Sequence, residues 1–335
     1  MLHIRNLLFN WGVLSSTAFN FPVISVGNLS VGGTGKTPHT EFLIELLRND
    51  YHIASLSRGY GRKTKGFKIA DSSDSPESIG DEPYQIFTKY DRVIVAVDEK
   101  RKRGIEKLRA LPAKPEVVIL DDAFQHRSVK AGLNILLTDY SKLYINDLPL
   151  PSGRLREPRS AAKRADIIIV TKSPEVLSND EREKIIKLLN PKPHQKVYFS
   201  YIAYKNLQPL NHSAIEVVDP IALLQKSTTI LLSAIANPKP MVTELKRNAK
   251  RIIPLTFKDH HFFQVKDYVK INKRIAREDS AKKVIVCSEK DAVKIDSKAF
   301  GDVPLFALPI VIKFHKHNTS TFKNHIKTYV KSHTA

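Results

Sequence analysis

Residues 22–49 constrain the fold of this chain more than any other stretch. A short apolar strand, Pro22 to Val26, runs into a glycine-rich turn ending in Gly35-Lys36-Thr37, and an amphipathic helix follows. Strand, turn and helix in this order make a phosphate-binding loop for a nucleoside triphosphate. Gly32, Gly33, Thr34 and Gly35 let successive backbone N–H groups face one concavity, and the helix start adds its positive dipole end. Lys36 would reach the β- and γ-phosphates, and the Thr37 hydroxyl would hold Mg²⁺. The strict motif G-x-x-x-x-G-K-[ST] requires glycine at position 30, where this chain has Ser30. Context carries the reading: Phe42, Leu43, Leu46 and Leu47 mark one apolar helix face directly after the turn.

With 335 residues the chain has room for about two domains. Apolar runs near 22–26, 52–57, 92–97, 116–120, 133–138 and 166–171 alternate with helical stretches near 37–49, 81–89, 99–110 and 158–165. Such alternation predicts an α/β fold, a mostly parallel sheet of the P-loop NTPase type with helices on both faces. Ligands then collect at the carboxyl ends of the strands. The break at Asn190-Pro-Lys-Pro193 closes a nucleotide-binding domain over 1–195. An extended linker over 196–210 leads to a smaller C-terminal α/β domain over 211–335. Its strands are expected near 228–233, 251–255, 283–287 and 304–308, and its helices near 238–248, 264–276 and 317–332. The region Asp139–Arg159, rich in Pro, Gly and Arg, reads as a lid or binding loop.

The net charge of +20 favours a polyanionic partner: nucleic acid, an anionic membrane or a phosphorylated substrate. No zinc-ligand spacing or nucleic-acid motif is present, which lowers the first of these. The single cysteine, Cys287, rules out an internal disulfide and reads as a buried strand residue. Leu2, Ile4, Leu7, Leu8, Phe9, Trp11, Val13 and Leu14 make an apolar segment too short and too polar to span a bilayer. It lies on a membrane surface or packs on the core as a helix.

Several further residues can carry chemistry. Glu116 to Asp122 is an apolar strand ending in two carboxylates, Asp121 and Asp122. Beside a phosphate loop such a tip suits Mg²⁺ coordination; the alternative is a pair of solvated loop acids. Gln125 and His126 follow and would face the same crevice. Ser57-Arg-Gly-Tyr-Gly-Arg62 is a flexible cationic loop at another strand end, fit for phosphate recognition or simply a surface turn. Gly80-Asp-Glu-Pro83 looks first like a helix start capped by Asp81. Of the adjacent His260 and His261, at most one is functional, because neighbours in regular structure point apart. Ser288 with Asp291 reads as a capping box. Arg154, Arg156, Arg159 and the cluster Lys100–Arg103 are candidate anion contacts, of which one or two should matter.

Taken together, the chain resembles the tetraacyldisaccharide 4′-kinases, the lipid A 4′-kinases of Gram-negative bacteria. The matching segments are Val26–Pro38, Ser57–Gly61, Gly80–Pro83, Asp121-Asp122 with Gln125-His126, Pro151–Gly153 with Leu155–Glu157, Asp259-His260 and Ser288–Lys294. They keep the family's order and cover nearly the whole chain. The family usually carries a longer hydrophobic, basic segment ahead of the phosphate loop than residues 1–21 here.

The resemblance implies transfer of the ATP γ-phosphate to the 4′-hydroxyl of a lipid A disaccharide 1-phosphate precursor. It implies ATP and Mg²⁺ as cofactors and a peripheral enzyme on the cytoplasmic face of the inner membrane. By motif the family's catalytic Asp–His pair maps onto Asp81 and His260, with Lys36 as third catalytic residue. Thr37, Asp121 and Asp122 map to the metal, and Asn28, Arg58, Tyr60, Arg101 and Gln125 to phosphate or substrate contacts. The protein is read as a monomer that binds the membrane surface and no nucleic acid. The rival is a P-loop GTPase or metallochaperone-type switch. Guanine readers usually carry Asn/Thr-Lys-x-Asp after a late strand, and the nearest match, Thr171-Lys-Ser-Pro174, lacks the aspartate.

Overall fold

A computed structural model describes residues 2–278 and 282–334. The chain forms two compact units, one of residues up to Ala203 together with those from Ile312 onward, the other Tyr204–Val311.

The strands of the first part of the chain are β1 (Thr17–Ala18), β2 (Val23–Asn28), β3 (Ile53–Ser57), β4 (Lys68–Ile69), β5 (Ile94–Val97), β6 (Val117–Asp121), β7 (Val129–Lys130), β8 (Leu133–Asp139), β9 (Ile167–Thr171) and β10 (Lys196–Tyr204). Then come β11 (Gln208–Pro209), β12 (Thr228–Ser233), β13 (Arg251–Thr256), β14 (Lys283–Ser288), β15 (Leu305–Leu308) and β16 (Ile310–Phe314).

The first unit is built on a nine-stranded sheet in the order β16-β10-β9-β8-β2-β6-β3-β5-β4. Its central pairs are parallel, and β4 runs antiparallel to β5. Alternate residues of one strand feed opposite faces. On β6, Val117 and Ile119 join Leu43, Ile44 and Leu47 of the helix Lys36–Leu47. Val118 and Leu120 join Ile105 and Leu108 of the helix Arg101–Arg109. A strand buried on both sides must be apolar throughout, which explains the unbroken run Val117-Val-Ile-Leu120. β2 lies at the middle of this sheet, so the turn that follows it stands at the carboxyl edge where neighbouring strand ends converge.

Two boundaries move from their expected places. The linker expected over 196–210 is largely β10, paired in parallel with β9 from Lys196↔Ile167 to Phe199↔Val170. The terminal helix, Lys316–Lys331, expected in the C-terminal domain, packs into the first unit through Phe322, Ile326, Tyr329 and Val330. Tyr329 Oη accepts from the Val23 amide at 3.2 Å and donates to the Val23 carbonyl at 3.1 Å. An apolar helix face shows that a helix is buried, but not which sheet buries it. Residues 158–165, read as an α-helix, contain a 3₁₀ turn over Arg159–Arg164. The helix Asn179–Leu189, capped by the Ser178 side chain, lies in a charged stretch whose periodicity is weak.

The second unit has a five-stranded sheet in the order β11-β15-β14-β12-β13, parallel except for β11 against β15. Cys287 is buried on β14, as read. Ser288 caps the short helix that follows by accepting from the Asp291 amide at 3.1 Å, and Asp291 accepts from the Ser288 hydroxyl at 2.7 Å.

Candidate active site

The phosphate loop is held from below and left open above. Gly35 takes φ +86, a left-handed conformation that costs glycine little, and the helix begins at Lys36 with no side-chain cap. The first-turn N–H groups therefore stay available to an anion, and Pro38 in that turn has no N–H to satisfy. Gly32 and Gly33 are exposed, Lys36 and Thr37 are half-buried, and Thr34 is buried. Asn28 Nδ2 donates to Thr34 Oγ1 at 2.8 Å, and Thr171 Oγ1 donates to the Thr34 carbonyl at 3.0 Å. Lys172 donates to the Gly33 carbonyl and pairs with Asp139 at 2.9 Å.

The carboxylates stand beside this loop. Asp121 ends β6, buried, and Asp122 follows at φ +48. A non-glycine residue in that region stores strain, as expected where geometry serves a site. Lys36 Nζ lies 3.8 Å from Asp122, and Arg156 reaches Asp122 at 2.8 and 3.2 Å. Burial raises the Asp122 carboxyl, but Lys36, Arg156 and Arg101 outweigh it and hold it below the ordinary carboxylate range. Asp121 goes the other way: burial first, then its neighbour Asp122, push it up to about 7. Its Oδ1 is buried and makes no hydrogen bond. A buried, orphaned carboxylate oxygen next to a second acid offers the hard oxygen donors that suit Mg²⁺. Among the described residues no cluster of three or more His, Cys, Asp or Glu is arranged to hold a metal.

Arg101 is almost wholly buried and donates to the Asp121 carbonyl at 3.4 Å. Burial lowers it to about 10, against the pull of Asp122 and Asp121, so it stays cationic. His126, lowered to about 3 by burial and then by Arg101, is neutral. Gln125 Nε2 donates to the Asn28 carbonyl at 2.8 Å. Metal-site, lysine and arginine candidates thus gather around one loop.

Asp81 is not a cap. Gly80 takes the cap position at φ +99 with no side-chain cap bond, and Asp81 is the first helical residue, 2 % exposed. The segment is wedged against the Arg58–Tyr60 turn: a Cβ on Gly80 would stand 3.0 Å from the Tyr60 carbonyl, and one on Gly59 would stand 2.5 Å from the Ile79 carbonyl. The two motifs touch backbone to backbone. Arg58 and Tyr60 are exposed and line, with Lys65 and Glu99, an open cleft of about 490 Å³.

Other parts of the site carry weak sequence signals. The loop expected as a lid is tied down: Val31 donates to the Arg154 carbonyl at 2.8 Å, and Arg156 donates to the Leu29 carbonyl at 2.6 Å. Of the arginine group, Arg156 is bonded to Asn28 as well as Asp122. Glu157 is fully buried, accepting from Arg164 at 2.6 Å and from Asn6 at 2.6 Å. Asn6 lies on the helix Leu2–Asn10, so this segment packs on the first unit as a helix, one of the two readings of the sequence. One side docks through Arg5 to the Gln125 carbonyl at 2.7 Å, while Leu7, Trp11, Val13 and Leu14 are exposed. The side chains of Leu2 and Ile4 lie outside the described residues.

In the second unit the two histidines separate. His260 takes φ +60, its Nε2 lies 3.1 Å from Lys290 Nζ, and its amide donates to Asp259 Oδ1 at 3.1 Å. Two motifs far apart in sequence therefore meet at His260. His261 bonds Asp267 at 2.9 Å and stacks on Phe257 at a centroid distance of 4.8 Å. It braces the next helix.

A family model described as LpxK, tetraacyldisaccharide-1-P 4′-kinase, matches residues 1–331. Tetraacyldisaccharide 4′-kinase of Bacteroides thetaiotaomicron is 46% identical over 99% of this chain and 90% of its own length. That of Flavobacterium psychrophilum is 45% identical over 99% and 93%. A crystal structure of LpxK from Aquifex aeolicus in complex with ATP superposes with a TM-score of 0.73 at 29% identity, covering 98% of this chain and 95% of that one. The chain belongs to the tetraacyldisaccharide-1-P 4′-kinase family.

Proposed function

We propose how this chain's residues divide the work of an ATP-dependent kinase that phosphorylates the 4′-hydroxyl of a tetraacyldisaccharide 1-phosphate in lipid A biosynthesis. The observation that carries the reading is the open loop Gly32–Thr37 with the Asp121–Asp122 pair beside it, Lys36 3.8 Å from Asp122. Loop amides and Lys36 hold the β- and γ-phosphates. Thr37, Asp121 and Asp122 would hold Mg²⁺, which would supply positive charge to offset that of the phosphates. Arg101 and Arg156 keep the two acids in place, and Asn28, Gln125, Arg58 and Tyr60 border the space for phosphate or acceptor.

Asp81 accepts the proton of the 4′-hydroxyl as its oxygen bonds to the γ-phosphorus and the bond to ADP breaks. Its unperturbed basicity is low, but a loose phosphoryl-transfer transition state asks little of a base. His260 is the second member of the pair. Its left-handed backbone and its bond to Lys290 support this choice over His261, whose ring is committed to Asp267.

The switch-protein reading is not favoured. Thr171-Lys-Ser-Pro174 lacks the guanine-reading aspartate, and the kinase family model spans residues 1–331. We further propose attachment to the cytoplasmic face of the inner membrane. No described helix is long and apolar enough to cross a bilayer. The +20 charge and the exposed Trp11, Val13 and Leu14 support a surface contact with anionic lipid. The test is flotation with phosphatidylglycerol vesicles: Trp11→Ser with Leu14→Ser should lower the bound fraction severalfold, and unchanged flotation would remove this attachment.

A further inference from the structure

The region Pro149–Arg156 does more than brace the loop. Leu155 sits at the centre of a small backbone ladder, bridged to Ser30 on one side and Pro149 on the other. Leu155 donates to the Leu148 carbonyl at 2.9 Å and accepts from the Leu150 amide at 2.9 Å. Leu155 is buried, yet the chains it joins expose apolar side chains: Val31 at 41%, Leu148 at 50% and Leu150 at 52%. Leu148 and Leu150 flank Pro149, the residue bridged to Leu155. Gly153 lets the turn close, since a Cβ there would stand 2.3 Å from the Leu148 carbonyl.

Single exposed leucines are ordinary on protein surfaces. These three belong to one ladder, and Val31 immediately precedes the loop glycines. The same region continues into Glu157, which bonds Asn6 of the helix that precedes exposed Trp11. Half-exposed Arg154, beside Leu155, pairs with Asp147 at 3.4 Å. The site's rim is therefore apolar on two elements that are bonded together. Family membership supplies the matching chemistry, an acceptor that must bring a hydroxyl to this loop while carrying four acyl chains.

We infer that Val31, Leu148 and Leu150 form a subsite for acyl chain of the tetraacyldisaccharide acceptor. The inference rests on the function proposed above and commits to the substrate's own chains, not to the surrounding bilayer. Chains lying on the patch exchange water for apolar contact on both partners, while the ladder's backbone bonds keep the patch in register with the phosphate loop.

The test uses the full chain with Leu148→Cys or Leu150→Cys carrying an environment-sensitive bimane; Cys287 is buried and leaves the new thiol as the accessible target. Titration with detergent-dispersed tetraacyldisaccharide 1-phosphate should give a saturable blue shift at both positions. Phosphatidylglycerol vesicles without the disaccharide should give none. No shift with the disaccharide overturns the inference, and an equal shift with vesicles alone assigns the patch to the bilayer and overturns it too. In kinetics, Leu148→Ser with Leu150→Ser should raise the KM for the disaccharide about tenfold with the KM for ATP unchanged. A parallel rise in both would make the leucines part of the loop's support and contradict the subsite. Failure of the underlying function is distinguishable, because the unsubstituted protein would then form no bisphosphorylated product whatever the fluorescence reports.

Discussion

His39 Nδ1 lies 2.7 Å from the carbonyl of Gly35, and its Nε2 lies 2.9 Å from Ser200 Oγ. A carbonyl can only accept, so Nδ1 carries the proton and Ser200 donates to Nε2. The imidazole ties the left-handed residue that starts the loop helix to β10 of the same sheet. We expect His39→Phe to raise the KM for ATP severalfold, and His39→Asn, which keeps a donor near Nδ1, to recover most of the loss. ATP titrations of both variants check this.

The same residue gives a pH prediction. Burial lowers His39 to about 4 from its ordinary 6.5. The unfolded chain binds a proton that the folded state refuses, so the contribution to stability is complete above pH 6.5 and is lost as pH falls toward 4. At about 1.4 kcal/mol per pH unit this amounts to about 3 to 4 kcal/mol. Urea melts between pH 7 and 4.5 should show a smaller fall for His39→Phe than for the unsubstituted protein.

Lys36→Ala and Asp81→Asn should both abolish most turnover, for different reasons. Loss of the phosphate-binding lysine should cost about two or more orders of magnitude in kcat/KM for ATP. Asp81→Asn should lower kcat by about two to four orders of magnitude while ATP still binds. Steady-state kinetics with ATP binding measured separately distinguishes the two, and a near-normal rate for Asp81→Asn would remove it as the base.

Asp121→Asn should weaken the Mg²⁺-dependent part of nucleotide binding. The readout is thermal: added Mg²⁺ should raise the melting temperature of the ATP-bound protein, and this increment should shrink in the variant. An unchanged increment would remove Asp121 from the metal site.

His260→Ala should lower kcat with little change in melting temperature. His261→Ala should do the reverse, because it removes the Asp267 bond and the stack on Phe257. Kinetics and melting curves of the pair decide between them, and the opposite pattern would exchange their roles.

Much of this was legible in the sequence because local chemistry repeats it. The strand β2, the turn and the helix from Lys36 are dictated by apolar runs and glycines within thirty residues of one another. The acids ending β6 were readable for the same reason. What depends on distant partners was not. Nothing near Lys196–Tyr204 says that it pairs with β9, and nothing in the last helix says that Tyr329 reaches Val23. His39 looks like an ordinary polar position on a helix until Ser200 is beside it. Asp81 follows a glycine and precedes a proline, a pattern that reads as a cap, yet Gly80 holds that place because its left-handed backbone packs on Gly59. Arg156 was one of several similar arginines, and only its bonds to the distant Asn28 and Asp122 single it out.

The most direct measurement is product formation. The purified protein is incubated with radiolabelled ATP, Mg²⁺ and tetraacyldisaccharide 1-phosphate, and the lipid fraction is separated by thin-layer chromatography. Label should move into a bisphosphorylated lipid, and Lys36→Ala should fail to produce it. Label that stays in ATP or appears only as free phosphate, with no labelled lipid, would contradict the account.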